Sequence, residues 1–109
     1  MNITQEQRAS LDELSSSIES WAEKKGLHLS GPSKQFLKVV EEVGEVASAI
    51  AKGKKDELQD GIGDVFVTIV ILAMQNNLSI RDCVATAYAE IADRKGRMVD
   101  GVFVKESDL

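Results

Sequence analysis

Glu41-Glu42-Val43-Gly44-Glu45, followed one helix later by Asp60-Gly61-Ile62-Gly63-Asp64, is the stretch on which the reading of this chain turns. Residues on a helix advance by about 100° each, so Glu42 with Glu45, or Glu41 with Glu45, projects from one face as a group of oxygen ligands. Asp60 and Asp64 are four apart, and Glu57 extends the same acidic stripe. Acids at such spacing most often form a solvated helix face. The continuation of the second stripe argues otherwise. One line runs through Val67, Ile71 and Met74 and another through Leu58, Ile62, Val65, Ile69 and Leu72, so the third helix is apolar on two faces. That pattern places Asp60 and Asp64 at the mouth of a buried seam. Carboxylates partly withdrawn from water need partners, and a hard divalent cation between oxygen ligands reverses the sign of their repulsion.

Working outward, a chain of 109 residues with 43% hydrophobic residues is expected to form one globular domain over residues 1–109. One proline and eight glycines suit long elements with few breaks. Cys83 is the only cysteine, which excludes an intrachain disulfide and fits a reducing cytoplasm; it reads as a small buried apolar residue. His28 is the only histidine, so zinc sites and Glu-x-x-His di-iron bundles lack their imidazole or thiolate ligands. No secretion signal opens the chain, and the run from Val65 to Met74 is about half of what a bilayer crossing needs. The net charge of −5 disfavours a sequence-independent grip on nucleic acid. A nucleotide remains compatible with it through metal ions and a few placed cations.

The spacing predicts four helices. The first spans residues 4–25, opened by a Thr4–Gln7 capping box and closed by Gly26, with Leu11, Leu14, Ile18 and Trp21 facing the core. Ser30 or Ser33 caps the second, in which Phe36, Val39, Val43, Val46 and Ile50 make one apolar line. Gly44 inside it suggests a close backbone neighbour, and Lys38–Glu42 is an i, i+4 ion pair. A basic turn leads to a third helix over 56–75 with Asp56 as its cap, and Ser79 starts a fourth that Gly96 ends. Arg94, Lys95 and Arg97 concentrate positive charge there, suited to the helix C-terminus or to a phosphate. Asp100-Gly101 between β-prone runs reads as a small hairpin or a strap. The expected architecture is an all-α four-helix bundle with that short C-terminal hairpin. Its exposed apolar surface calls for a homodimer or homotetramer.

Gln35-x-x-Lys38-x-x-Glu41-Glu42-x-x-Glu45, the acidic third helix ending in Gly63-Asp64-Val65, and Asp93-Arg94-Lys95-Gly96-Arg97 together resemble the MazG-like nucleoside triphosphate pyrophosphohydrolases. The likeness is greatest to short proteins of phages and mobile elements. The family pattern is two adjacent glutamates, a third glutamate three residues after the second, then a glutamate and an aspartate three apart on the next helix. Glu41, Glu42, Glu45 and Asp64 match it. Gly61 stands where the fourth glutamate belongs, so Asp60 is taken as the substitute ligand with Glu57 in reserve. The resemblance implies an all-α enzyme that converts nucleoside triphosphates, with a lean towards deoxynucleotides, to monophosphate and pyrophosphate. Mg²⁺, or Mn²⁺ in its place, would be held by Glu42, Glu45, Asp60 and Asp64, with Glu41 as the residue that orients or deprotonates water. Lys38, Arg94, Lys95 and Arg97 would meet phosphate charge, and Gln35 and Trp21 the nucleoside. A silent nucleotide sensor and a helical protein-interaction module are the competing readings.

Overall fold

The computed structural model describes residues 3–5 and 7–109. It is all-α apart from one hairpin. The elements are α1 (Leu11–Lys24), a 3₁₀ turn (Leu27–Leu29), α2 (Pro32–Lys52), α3 (Lys55–Gln75), α4 (Ile80–Ile91), strands β1 (Gly96–Val99) and β2 (Val102–Lys105), and a final 3₁₀ turn (Glu106–Asp108).

Helix boundaries follow backbone chemistry more closely than the side-chain signals alone suggested. Thr4 and Gln7 exchange the expected reciprocal bonds, at 2.7 and 3.3 Å. The helix nevertheless starts at Leu11, because Ser10 and Glu13 form a second capping box with Ser10 extended at ψ 158°. Gly26 closes this segment in the left-handed region at φ 72°. Neither Ser30 nor Ser33 caps α2. Gly31 holds that position and Pro32 is the first helical residue, where its fixed φ suits the helix and its missing N–H costs nothing. Lys54 rather than Asp56 precedes α3, which places Asp56 and Glu57 in the first turn, beside the positive end of the helix dipole. Ser79 caps α4 as expected, through a bond from the Arg81 backbone N–H. That helix ends at Ile91, not at Gly96. Gly96 instead opens β1 opposite Lys105, where a Cβ would collide with the Val104 carbonyl oxygen. Asp100 and Gly101, with φ of 49° and 81°, make the left-handed two-residue turn that suits strand twist.

Helix α3 is the axis of the molecule. α2 packs along it, and α1, the first 3₁₀ turn and α4 lean on its other sides. Val70, Ile71 and Ala73 of α3 are buried together with Ala22, Ala49 and Ile80. The Gln35 amide donates to the Thr68 carbonyl at 3.0 Å, pinning α2 to α3, and the Gln75 amide donates to Leu27 at 2.9 Å, pinning the 3₁₀ turn. Arg81 fastens α4 to α1 by bonds to Asp12, to Glu19 at 2.9 Å and to the Ser16 hydroxyl at 2.7 Å.

Much of the surface expected to be core is open in the single chain. Trp21 is 49% exposed, Phe36 56% and Ile50 62%, and Ile62 and Tyr88 are exposed as well. Cys83 is only partly covered. Gly44 has no close neighbour among the described residues, since a Cβ there would meet nothing within 4 Å. The outer apolar positions of the helices, Trp21 on α1, Phe36 and Ile50 on α2, Ile62 on α3 and Tyr88 on α4, are left open to solvent in the single chain. No helix among the described residues is long and apolar enough to cross a membrane.

Candidate metal centre between α2 and α3

The short turn after Gly53, itself left-handed at φ 66°, folds α3 back along α2 and sets their acidic faces side by side. They approach closely at Gly61. A Cβ on Gly61 would sit 3.1 Å from Val46 Cγ2, so a side chain in that slot would require Val46 to shift by a few tenths of an ångström. The residue that departs from the family pattern is therefore a contact point between helices. It is buried, and ligands must come from its neighbours.

One carboxylate oxygen each from Glu42, Glu45 and Asp64 can be chosen so that all three lie within 4.8 Å of one another. Glu42 and Asp64 are half-buried and Glu45 is exposed. Glu42 Oε2 is shielded from solvent and has no hydrogen-bond partner among the described residues. Burial, the adjoining Glu45 carboxyl and the charges of Asp64 and Glu41 push the Glu42 carboxyl above its ordinary range. Burial and the charges of Asp60 and Glu45 do the same to Asp64. Each group is thus held where its charged form lacks compensation. The set consists of hard oxygen donors from two helices and includes an orphaned buried oxygen. It suits a hard divalent cation such as Mg²⁺.

The other residues singled out from sequence occupy different positions. Asp60 is exposed and stands outside the tight group of three, but it adjoins Asp64 and lines the clefts on both sides of it. Glu57 lines one of these clefts and pairs with Lys54 at 3.5 Å. Glu41 lies on the solvent side of Glu42 and pairs with Lys38 at 3.7 Å, in place of the expected Lys38–Glu42 pair. Gln35 is engaged with Thr68 in the helix contact. Trp21 lies in a shallow groove of α1 with Ser16, Ser17, Ser20 and Lys24. Arg94 follows α4, and Lys95 and Arg97 flank the start of β1, which packs on β2 and the last turn. None of Trp21, Arg94, Lys95 and Arg97 lines the clefts beside the carboxylates in one chain.

The cleft on the α2 side measures ≈ 260 Å³ and is lined by Glu45, Ser48, Lys52, Glu57, Asp60, Gly61 and Asp64. Ser48 and Lys52 were not among the residues picked out from sequence. Their signal was present, since Glu45, Ser48 and Lys52 recur at i, i+3, i+7 on one face of α2.

An all-α chain in which two adjacent antiparallel helices oppose their carboxylates over a polar cleft defines a class, the helical proteins with an acidic inter-helix cleft. Residues 31–99 match the MazG nucleotide pyrophosphohydrolase domain, and the chain belongs to that family. It is also 51% identical over 71 residues to an uncharacterized 18.2 kDa protein in the rep-hol intergenic region of Haemophilus phage HP1, an alignment covering 64% of this chain. The chain spans 44% of that relative's length. No solved structure matches significantly.

Proposed function

We propose that this chain hydrolyses nucleoside triphosphates to a monophosphate and pyrophosphate in the presence of Mg²⁺ or Mn²⁺, in a cytoplasmic role of clearing the nucleotide pool. One observation carries the reading: Glu42, Glu45 and Asp64 bring oxygens within 4.8 Å of one another from two helices. Family membership supports it independently.

In this reading Glu42, Glu45 and Asp64 hold the ion, and Asp60 adds an oxygen from the rim of the cleft. The bound ion supplies neutralisation of phosphate oxygens and a lowered pKa for water. Glu41, on the solvent side of Glu42, orients or deprotonates the attacking water. Lys38, 3.7 Å from Glu41, meets phosphate charge. Gln35 retains its amide oxygen for the nucleoside end. We further propose that residues 1–109 act as one domain and pair into a homodimer or homotetramer, in which the exposed apolar lines of α2 and α4 are covered. Trp21, Arg94, Lys95 and Arg97 would reach the cleft from a second copy. The acidic balance of the chain fits a small nucleotide better than nucleic acid.

Incubation with each common and modified triphosphate plus Mg²⁺, with release of pyrophosphate as readout, tests the reading. Turnover that disappears in Glu45→Gln is expected. The substitution of the family glutamate by Gly61 favours a second reading, a nucleotide-binding sensor without turnover. Saturable triphosphate binding with no pyrophosphate release across the whole panel would establish the sensor instead.

A further inference from the structure

We propose that Lys52 is the residue that receives the pyrophosphate half of the substrate, so that the polyphosphate lies along α2 with its terminal phosphates directed to the α2–α3 turn. The inference rests on the triphosphate reading above and deepens it.

Three lysines crowd this turn, and the fold separates them. Lys54 and Lys55 line an apolar cleft on the far side with Ala49, Ile50, Gly53 and Leu58, and Lys54 is paired with Glu57. Lys52 alone of the three lines the carboxylate cleft. There it is, among the described residues, the single cation on a wall that also carries Glu45, Glu57, Asp60 and Asp64. A polyphosphate entering such a cleft is repelled by every one of those acids, so a fixed positive charge beyond the metal ligands has a large effect on where it can rest.

The distances suit this assignment. Lys52 lies seven residues beyond Glu45, about 10 Å along the helix axis, and its long side chain spans much of the gap back towards the cluster. Ser48 stands between them on the same face and offers a hydroxyl donor. The order along α2 is then carboxylates, hydroxyl, ammonium. A phosphate chain whose first bond is broken beside the carboxylates would extend its remaining phosphates over that hydroxyl and onto the ammonium. Departing pyrophosphate carries more negative charge than it did in the anhydride chain, and Lys52 is placed to hold it as it forms.

A last-turn lysine also interacts favourably with the C-terminal end of its own helix. The test must separate the two roles. Calorimetric titration of inorganic pyrophosphate with Mg²⁺, and separately of a nucleoside monophosphate with Mg²⁺, would be made on the wild-type chain and on Lys52→Met, Lys52→Arg and Lys55→Met, with melting temperatures alongside. Lys52→Met is expected to weaken pyrophosphate binding about tenfold or more. Monophosphate binding should stay as it is, Lys52→Arg should restore most of the loss, and Lys55→Met should lose nothing. A drop in melting temperature for Lys52→Met with pyrophosphate affinity intact would assign the residue to helix capping and overturn the proposal. So would equal losses for both ligands. Turnover of triphosphates with unchanged pyrophosphate affinity in Lys52→Met would sink this inference and leave the enzyme reading standing. Pyrophosphate binding lost in Lys52→Met without any wild-type turnover would remove the enzyme reading and keep Lys52 as the residue that binds the terminal phosphates in the sensor reading. A wild-type chain that binds neither ligand removes both.

Discussion

Asp64→Asn should make the metal-free protein more stable while removing its response to Mg²⁺. Asp64 has like charges near it, Asp60 on its own helix and Glu42 and Glu45 with oxygens within 4.8 Å; in a water-like dielectric a pair at that distance costs about 1 kcal/mol. A neutral amide of the same shape relieves this repulsion. Discounted for solvent screening, the gain is about 1 kcal/mol, or roughly 4–8 °C in melting temperature for a chain of this size. With Mg²⁺ at about a hundred times its Kd, the wild type gains about 2.7 kcal/mol by mass action, and the variant, lacking one of three ligands, gains far less. The two melting curves therefore change order: the variant melts higher in chelator and the wild type higher in Mg²⁺. Differential scanning calorimetry in both conditions measures this directly. Glu23→Gln, which removes the same formal charge from an exposed site on α1, separates local repulsion from the effect of overall charge. A lower melting temperature for Asp64→Asn in chelator, or an undiminished Mg²⁺ shift, would refute the claim that these carboxylates are held against their own repulsion for an ion.

The pH dependence follows from the same groups. Glu42 and Asp64 have folded-state pKa values above their ordinary 4.5 and 3.8, so the stability they contribute is present below those values and is lost as pH rises through the raised ones. In chelator, Glu42→Gln should therefore flatten the decline in melting temperature between mildly acid and neutral pH, and an unchanged slope would count against the cluster. Glu13 runs the other way, because its hydrogen bonds with Ser10 lower its pKa; Ser10→Ala should cost about 1 kcal/mol at neutral pH in a urea titration, with less loss in acid. Val70→Ala, at the most deeply buried large side chain, should cost about 2–3 kcal/mol with the urea m-value unchanged, and a loss below about 1 kcal/mol would mean the core lies elsewhere. Gly61→Ala should destabilise by about 1 kcal/mol, since overpacking against Val46, whose branched side chain has one favoured rotamer in a helix, outweighs the gain in helix propensity. Gly63→Ala meets nothing within 4 Å and should stabilise by up to about 1 kcal/mol; equal effects at the two glycines would contradict the close approach at Gly61.

The helices, their order and the hairpin were legible because they depend on near neighbours in the chain. Apolar spacing at 3.6 residues, Ser79 before Ile80 and Asp100-Gly101 between β-prone runs are local signals, and the structure follows them. Start points were less legible where two signals compete, as at Thr4 and Ser10, or where proline outranks a nearby serine, as at Pro32. The acidic face was legible too, since Glu42 and Glu45 share a face by spacing alone. That Asp60 stands outside the tight group was not, nor was the clamp that occupies Gln35. Both depend on the rotation of α3 against α2.

By itself the sequence determined the helical class and which residues share the acid-bearing faces, because periodicity and side-chain type are properties of single segments. Only the tertiary structure decided which acids meet, that Gly61 is a helix contact rather than a vacant ligand position, and that Lys52 lines the carboxylate cleft while Lys54 and Lys55 line another. Those outcomes follow from the distance and rotation between two helices. Contacts such as Val46 with Gly61, fifteen positions apart, and Gln35 with Thr68 belong to that relation, and one helix read alone does not contain it.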